Sequence, residues 1–281
     1  MLKQRILTAI VLLAMFVPAV LASDPLFFVL LTALLMGAAA WEWSRLNQLS
    51  RVAALGTAAA CFCICCGLWF GGWAARPLPW LWVAVGACWV GLALWLLRAG
   101  ASAWRAQPAA FRWLGGTFLL CAAWLALVQM RLVAIDFLFS VLLLVWIADI
   151  SAYFAGRAWG GRIVGQRLAP TISPGKTWEG VAGAMAGVMC MALVWYALDR
   201  AGITPGASLY GRLGSRSLVF LSVSVIFLTT MGVVGDLLES LFKRGAGVKD
   251  SGVLLPGHGG VLDRIDALLP VLPLAMLLCT F

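Results

Sequence analysis

Residues 235–266 read GDLLESLFKRGAGVKDSGVLLPGHGGVLDRID and interrupt a chain that is otherwise mostly apolar. Asp236 and Glu239 lie three positions apart, so on a helix they share a face. Asp263 and Asp266 repeat this spacing after a glycine-rich turn. The stretch therefore predicts two helices, each with a pair of carboxylates at the end next to the turn.

A solvated loop is the simpler explanation for charges between two membrane helices. The pattern disfavours it, because charges of both signs recur at helical spacing on both sides of the turn. Asp236 and Asp263 also stand at the ends of apolar runs, where a carboxylate is costly unless it has a partner. Oxygen ligands at this density suit a hard cation such as Mg²⁺ better than zinc, and the glycines let backbone N–H groups approach a ligand. The residues alone thus point to phosphate and metal chemistry.

The composition is that of a polytopic membrane protein. Of the 281 residues, 63% are hydrophobic and 11% are charged, and the mean hydropathy is strongly positive. We predict an all-α fold with about nine transmembrane helices, or eight if the second apolar run enters the membrane and returns. The nine apolar runs cover residues 6–22, 26–41, 52–70, 78–97, 114–130, 132–154, 181–198, 218–235 and 261–281.

The basic residues predict the orientation of these spans. With the N-terminus in the cytoplasm, 15 of the 20 Lys and Arg residues fall on the inner side, as the positive-inside rule requires. The charged stretch then faces the cytoplasm. The net charge of +9 reflects this topology and attraction to anionic lipids, and gives no reason to expect nucleic acid as a partner. The first apolar run resembles a signal peptide, but the orientation favours an uncleaved anchor.

Residues 1–130 carry little chemistry and are predicted to form transmembrane scaffold helices. Their cysteines Cys61, Cys63, Cys65 and Cys66 lie inside an apolar run without charged or histidine neighbours, which is typical of packing residues rather than of a metal site. Residues 131–281 are predicted to form the catalytic region of the same membrane domain.

Asp149 lies within the sixth apolar run. An acidic residue inside a span is a functional candidate, and a hydrogen bond between helices is the alternative.

The inner loop at residues 168–180 reads LAPTISPGKTWEG. It resembles the end of a Walker A motif, but that motif requires glycine where Pro170 stands. Ser173, Lys176 and Thr177 instead precede a predicted helix that carries Glu179 in its first turn. Such a site can bind an anion or be an ordinary helix cap, and the residues leave both open.

The charged stretch resembles the signature of the phosphatidate cytidylyltransferases, also called CDP-diacylglycerol synthases, with every defining position filled. The loop at residues 173–180 resembles a second element of that family, in which Lys often replaces Gly175. The matching signature positions are Ser240, Lys243, Arg244, Lys249, Asp250, Pro256, Gly257, His258, Gly259, Gly260, Asp263, Arg264 and Asp266.

The resemblance implies a bacterial integral membrane enzyme that condenses CTP with phosphatidic acid to give CDP-diacylglycerol and pyrophosphate. It further implies dependence on Mg²⁺, with room for a second cation, a multi-pass protein of the inner membrane with its active site facing the cytoplasm, membrane lipids as partners, and a homodimer. In that family the carboxylates matching Asp236 and Asp263 are the metal ligands.

The chemistry assigns roles to the other residues. Phosphatidic acid is already mostly deprotonated at neutral pH, because the second pKa of a phosphate monoester is about 6, so no general base is needed. Metal ions and basic side chains must instead align and neutralise two polyanions. We predict that Asp236 and Asp263 hold the cations with support from Asp266 or Glu239, and that His258 contacts a phosphate or the turn. The predicted catalytic side chains are Asp236, Asp263, Lys243, Arg244 and Lys249; the predicted substrate-binding residues are Ser173, Lys176, Thr177, Ser240, Asp250, His258, Gly259, Gly260 and Arg264.

Two other functions fit some of these features. A transporter or ion channel would use Asp149, Asp236 and Asp263 as ion ligands, but these acids cluster at one face and the chain shows no internal repeat. A membrane transferase acting on a polyprenyl or alcohol phosphate would keep the charged residues and change the nucleotide pocket.

Overall fold

Helices dominate the computed structural model, which describes residues 2–204 and 206–280, apart from the side chains of Leu2, Lys3 and Arg5. The last residue of the ninth predicted run, Phe281, lies outside the described residues. The helices are α1 (Leu2–Leu21), α2 (Leu26–Leu46), α3 (Arg51–Phe70), α4 (Pro79–Arg105), α5 (Ala109–Val133), α6 (Ile135–Trp159), α7 (Trp178–Arg200), α8 (Leu209–Gly214), α9 (Leu218–Ala246), α10 (Leu262–Ile265) and α11 (Leu268–Thr280), with a 3-10 turn at Trp73–Ala75.

Seven of these helices, α2 to α7 and α9, are long and apolar enough to cross a membrane. The prediction of an all-α polytopic membrane protein is confirmed. The first predicted span forms the shorter apolar segment Ile6–Leu21, and the last is divided between α10 and α11. Pro270 accounts for the division, because a continuous helix would need the N–H that proline lacks and would press its ring against the Asp266 carbonyl. The count of nine spans and their orientation stay predictions.

The described chain divides into two units, each assembled from separate segments. The first unit contains Met1–Leu78, Val90–Leu132 and Leu241–Asp266, and the second contains Pro79–Trp89, Val133–Ser240 and Ala267–Phe281. The charged stretch crosses this division inside α9. The predicted assignment of residues 1–130 to a scaffold and 131–281 to catalysis stays a prediction.

Aromatic side chains fill the core of the first unit. Trp124 is fully buried and donates its ring N–H to the Thr32 hydroxyl (3.1 Å), which joins α5 to α2. Trp43, Trp104 and Phe242 form a ring cluster with centroid separations of 4.6–6.0 Å. Phe242, in the part of α9 that belongs to this unit, thereby anchors the charged stretch to α2 and α4.

Cysteines also converge in the first unit. The sulfur atoms of Cys61, Cys65 and Cys121 lie within 4.8 Å of one another, and all three residues are buried, whereas Cys63 is exposed. Cys121 is remote in sequence and was not anticipated. Packing of these residues as neutral thiols stays a prediction.

Close packing of α6 against α7 organises the second unit. A Cβ atom at Gly183 would lie 2.2 Å from that of Ala155, and one at Gly187 would lie 2.1 Å from the Ser151 hydroxyl oxygen. Small residues at four-residue spacing let helix backbones approach closely, as is common inside membranes. Here they bring the start of α7 next to the end of α6.

A β-hairpin connects α6 to α7. Strand β1 (Arg167–Ala169) pairs antiparallel with β2 (Ser173–Thr177). The sequence predicts a loop here, and the structure corrects this prediction, because the segment contains two short strands. Three- and five-residue strands are too short to give a clear alternating pattern. The hairpin places Lys176 and Thr177 immediately before the first turn of α7.

Candidate active site

A pocket of about 420 Å³ lies within the second unit, among α6, the hairpin, α7 and α9. Its volume is in the range of small-molecule sites. One part of its wall is apolar, with Leu144, Val145 and Val233 among its residues. The charged part includes Asp149, Arg157, Lys176 and Asp236. A pocket of this kind can receive a molecule with a charged and an apolar end.

Lys176 and Asp236 form an ion pair in this pocket. The Lys176 Nζ atom lies 2.7 Å from Oδ2 of Asp236, and the two side chains are 21% and 38% exposed. The hairpin supplies the lysine and α9 supplies the aspartate. Sequence analysis predicted both as site residues but in separate motifs, and the structure brings them together.

Arg157 and Tyr153 are pocket residues that sequence analysis did not single out. Arg157 donates a hydrogen bond to the Tyr153 hydroxyl (2.9 Å), and both line the pocket with Asp149. The three residues are four positions apart on α6, so they share a face. This spacing was visible in the sequence and could have identified Arg157 as a further anion-binding candidate.

The start of α7 is held by side-chain caps. The Thr177 hydroxyl accepts a hydrogen bond from the Gly180 N–H (3.1 Å), which is the ordinary function of an N-cap residue. Glu179 accepts from the N–H groups of Ile163 (3.1 Å) and Val164 (2.9 Å), so it ties the segment before the hairpin to α7. The predicted substrate contacts of Ser173 and Thr177 stay predictions, and the cap uses one lone pair of the threonine hydroxyl.

In the first unit, Asp263 gathers several donors from the charged stretch. The Lys243 Nζ atom lies 2.7 Å from Oδ1 of Asp263, whose side chain is 8% exposed. The backbone N–H of Gly260 donates to Oδ2 (2.8 Å) and that of Ser251 lies 3.1 Å from the same atom. A Cβ at Gly259, where φ is 84°, would lie 2.9 Å from Oδ2. Asp263 is therefore fixed by both ends of the turn that precedes it.

The predicted turn is present and has a specific form. The His258 N–H donates to the Leu255 carbonyl (2.9 Å), so Pro256 and Gly257 occupy the two central positions. Gly257 has φ of 76°, which is the conformation that a type II turn requires of its third residue. The guanidinium of Arg264 donates to the His258 carbonyl (2.9 Å) and holds the turn against α10.

Four predicted substrate-binding residues line one open pocket of about 450 Å³ beside this turn. Residues remote from one another along the stretch are thus brought together within the first unit. The pocket is lined by Asp250, Gly257, His258, Gly259 and Arg264.

The other predicted basic side chains of the stretch are accessible. Arg244 is exposed and donates to the Val248 carbonyl (3.3 Å), and Lys249 is exposed.

Ser240 is half-buried on α9, in the second unit. Glu239 is 3% exposed, so the residue proposed as a supporting ligand is largely shielded from solvent.

Glu42 lies between Trp41 and Trp43 near the end of α2, a context that predicts a charge at the membrane interface. Its side chain is instead 1% exposed and accepts hydrogen bonds from Ser251, Val261 and Leu262. The aromatic neighbours of Glu42 suggested a membrane interface, and the partners that bury it are far away in the chain.

The carboxylates fit a hard cation such as Mg²⁺. A carboxylate offers about four lone-pair sites, and the contact with Lys176 uses one of those on Asp236, which keeps 38% exposure. Asp263 is more fully engaged, so a cation there would take the place of the Lys243 ammonium. Asp266 is half-buried directly after α10. Asp236 and Asp263 belong to different units, and their sharing of a cation stays a prediction.

These features define a helical, polytopic membrane protein with paired carboxylates and lysines in its polar sites. The chain belongs to the cytidylyltransferase family, whose profile matches residues 3–281. This confirms the resemblance found in the charged stretch.

Two bacterial relatives cover nearly the whole chain. A phosphatidate cytidylyltransferase of Pseudomonas aeruginosa is 40% identical over 283 residues, which span 97% of this chain and 95% of that protein. A phosphatidate cytidylyltransferase of Haemophilus influenzae is 34% identical over 296 residues, which span 97% of this chain and 96% of that protein. The transporter or channel alternative gains no support from these matches.

Proposed function

We propose that this protein transfers the cytidylyl group of CTP to phosphatidic acid, giving CDP-diacylglycerol and pyrophosphate. The observation that carries the proposal is the Lys176–Asp236 pair at the charged part of a partly apolar pocket. The relatives named phosphatidate cytidylyltransferase support the choice of substrates.

The reaction requires alignment rather than proton transfer. A phosphate oxygen of phosphatidic acid forms a new bond to the α-phosphorus of CTP, and the bond from that phosphorus to the bridging oxygen breaks. Pyrophosphate leaves with the electron pair. Because the second pKa of a phosphate monoester is about 6, the attacking oxygen is already mostly ionised at neutral pH, and the protein has to bring two polyanions together.

The pocket of the second unit suits the lipid substrate. Lys176 and Arg157 supply positive charge for the lipid phosphate. Apolar residues such as Leu144 and Val233 face the same space and suit the glycerol backbone and the first methylenes of the acyl chains. A volume of about 420 Å³ cannot hold two complete chains, so the rest of the lipid would remain in the bilayer.

The charged turn of the first unit suits the nucleotide. Lys243, Arg244, Lys249 and Arg264 offer cationic groups for the triphosphate, and the open pocket beside the turn offers Asp250 and the backbone of Gly259 as hydrogen-bonding groups. The backbone contacts of His258 are those of a turn residue, in keeping with a positioning function rather than acid–base catalysis.

Asp236 and Asp263 would hold one or two divalent cations, with Asp266 or Glu239 in support. When bound, Mg²⁺ neutralises charge on the triphosphate and on the leaving pyrophosphate. The ammonium groups of Lys176 and Lys243 lie 2.7 Å from these carboxylates. On cation binding they would turn towards the phosphates, which converts two internal ion pairs into substrate contacts.

We place the site on the cytoplasmic side of the bacterial inner membrane, where CTP is available, and we propose a homodimer. The positive-inside distribution supports the orientation. Membrane lipids surround the apolar helices, and the substrate enters from the bilayer.

The test is pyrophosphate release by purified protein in mixed micelles of detergent and phosphatidic acid with Mg²⁺. CTP should support release, and ATP and GTP should not. Asp263→Asn should abolish it, whereas Asp24→Asn, at an exposed carboxylate that accepts from the Leu26 N–H, should retain it. Folded protein that released no pyrophosphate with phosphatidic acid would overturn the proposal, and activity with a polyprenyl phosphate instead would identify the other transferase.

A further inference from the structure

A buried carboxylate on α2 holds the charged turn within the first unit. Both oxygens of Glu42 accept hydrogen bonds: Oε1 from the Val261 N–H (3.1 Å), and Oε2 from the Leu262 N–H (2.8 Å) and the Ser251 hydroxyl (3.1 Å). Ser251 is 209 residues away in the chain and 7% exposed. A carboxylate with this burial is stable only with such partners.

Two glycines leave room for this carboxylate. A Cβ at Gly252 would lie 2.3 Å from Oε1 of Glu42, and one at Gly260 would lie 2.5 Å from Oε2. Neither glycine has a positive φ. The requirement for glycine at position 252 therefore comes from the approach of Glu42 and not from backbone conformation.

Ser251 connects Glu42 to Asp263. Its hydroxyl donates to Glu42 (3.1 Å), and its backbone N–H lies 3.1 Å from Oδ2 of Asp263. Val261 and Leu262, whose N–H groups donate to Glu42, directly precede Asp263 in the chain. A displacement of Glu42 would therefore move Asp263 from both sides.

We propose that Glu42 is a positioning residue for the reaction, acting by holding the turn that orients Asp263. The catalytic part of this inference rests on the proposed function, whereas the hold on the turn does not. Glutamine cannot replace Glu42. Whichever oxygen became the amide nitrogen, an N–H group would face the N–H of Val261 or of Leu262.

The first test is hydrogen–deuterium exchange on the full-length protein in detergent. Glu42→Gln should accelerate exchange at least tenfold in peptides that cover residues 251–262. Ser44→Ala is the matched control, because Ser44 is fully buried on the same helix but bonds only to the Ala40 carbonyl of its own helix among the contacts described. Equal exchange in Glu42→Gln and wild type would overturn the hold on the turn.

The second test follows Mg²⁺. We expect Glu42→Gln to raise the Mg²⁺ concentration for half-maximal pyrophosphate release at least tenfold, with a smaller loss of rate at saturating Mg²⁺. The same shift should appear in the Mn²⁺ concentration that half-saturates the protein, measured by electron paramagnetic resonance without substrates. A general loss of kcat with unchanged metal dependence would assign Glu42 a purely structural function.

Two further variants distinguish the loss of these specific contacts from misfolding of the protein. Ser251→Ala keeps Glu42 and removes one contact, so it should shift exchange and metal dependence in the same direction by a smaller factor. In the wild-type background, Gly252→Ala should accelerate exchange of the turn peptides and raise the Mg²⁺ requirement. In the Glu42→Ala background it should change both quantities little, because the added Cβ clashes with Glu42 itself. Additive effects of the two substitutions on these quantities would contradict the geometry. A wild type with protected turn peptides but no pyrophosphate release would overturn the proposed function and leave the hold on the turn intact.

Discussion

Asp263→Asn separates the structural use of this carboxylate from its proposed catalytic use. The substitution keeps the shape of the side chain but removes the charge opposite Lys243, whose side chain is only 12% exposed. Loss of one partner from a buried pair destabilises a protein by about 3 kcal/mol. For a chain of this size that corresponds to a fall in Tm of about 6 °C or more.

The informative comparison is the double variant Asp263→Asn/Lys243→Met, which removes both charges. It should recover most of the lost stability, because the lysine charge is removed together with the aspartate charge. It should not recover activity, since the proposed ligand for the cation is still missing. Both quantities can be measured on one preparation, by thermal unfolding in detergent and by pyrophosphate release from CTP.

Each outcome has a clear meaning. A single variant as stable as the wild type would refute the assignment of Lys243 and Asp263 as a buried pair. A double variant with restored stability and restored activity would refute the proposed function of Asp263 at the reaction centre and leave it as a structural residue.

Three further outcomes are expected. Lys176→Met should raise the KM for phosphatidic acid at least tenfold, with a Tm near that of the wild type. The Tm should change little because the partner Asp236 is 38% exposed and pairs of this kind contribute little to stability. An unchanged KM in micelle kinetics would contradict the contact between Lys176 and the lipid phosphate. Gly187→Ala should lower the free energy of unfolding by about 2 kcal/mol, because the added methyl group clashes with Ser151. The control is Gly56→Ala, whose added methyl group meets nothing within 4 Å and should leave the Tm unchanged or raise it. Equal Tm values for the two variants would argue against the close packing of α6 and α7. Chelation of divalent ions should abolish pyrophosphate release, and added Mg²⁺ should restore it; release that persists in excess chelator would refute the metal requirement.

The turn in the charged stretch could be anticipated because its residues lie close together in the chain. Pro256 and Gly257 favour a turn through their local backbone preferences. Lys249, Gly259, Gly260 and Asp263 lie within a few residues of this turn in the chain. The pairing of Lys243 with Asp263 was not predicted, because it depends on how α9 and α10 meet at this turn.

Contacts between distant segments could not be anticipated. Lys176 and Asp236 belong to different motifs, and their ion pair depends on the hairpin packing beside α9. Glu42 had the sequence context of an interfacial residue, because a carboxylate next to tryptophans at the end of a span is common at membrane surfaces.

The amino-acid sequence by itself determined the membrane character, the all-α architecture and the turn chemistry of this protein. Lengths of apolar runs and local backbone preferences act within single segments, so they can be deduced without knowing how segments pack. Only the tertiary structure decided that Lys176 faces Asp236, that Arg157 shares their pocket, and that Glu42 is buried beneath the charged turn. Side-chain partners remote in sequence are selected by the packing of helices and loops, and a carboxylate is buried or solvated according to the donors that this packing brings to it.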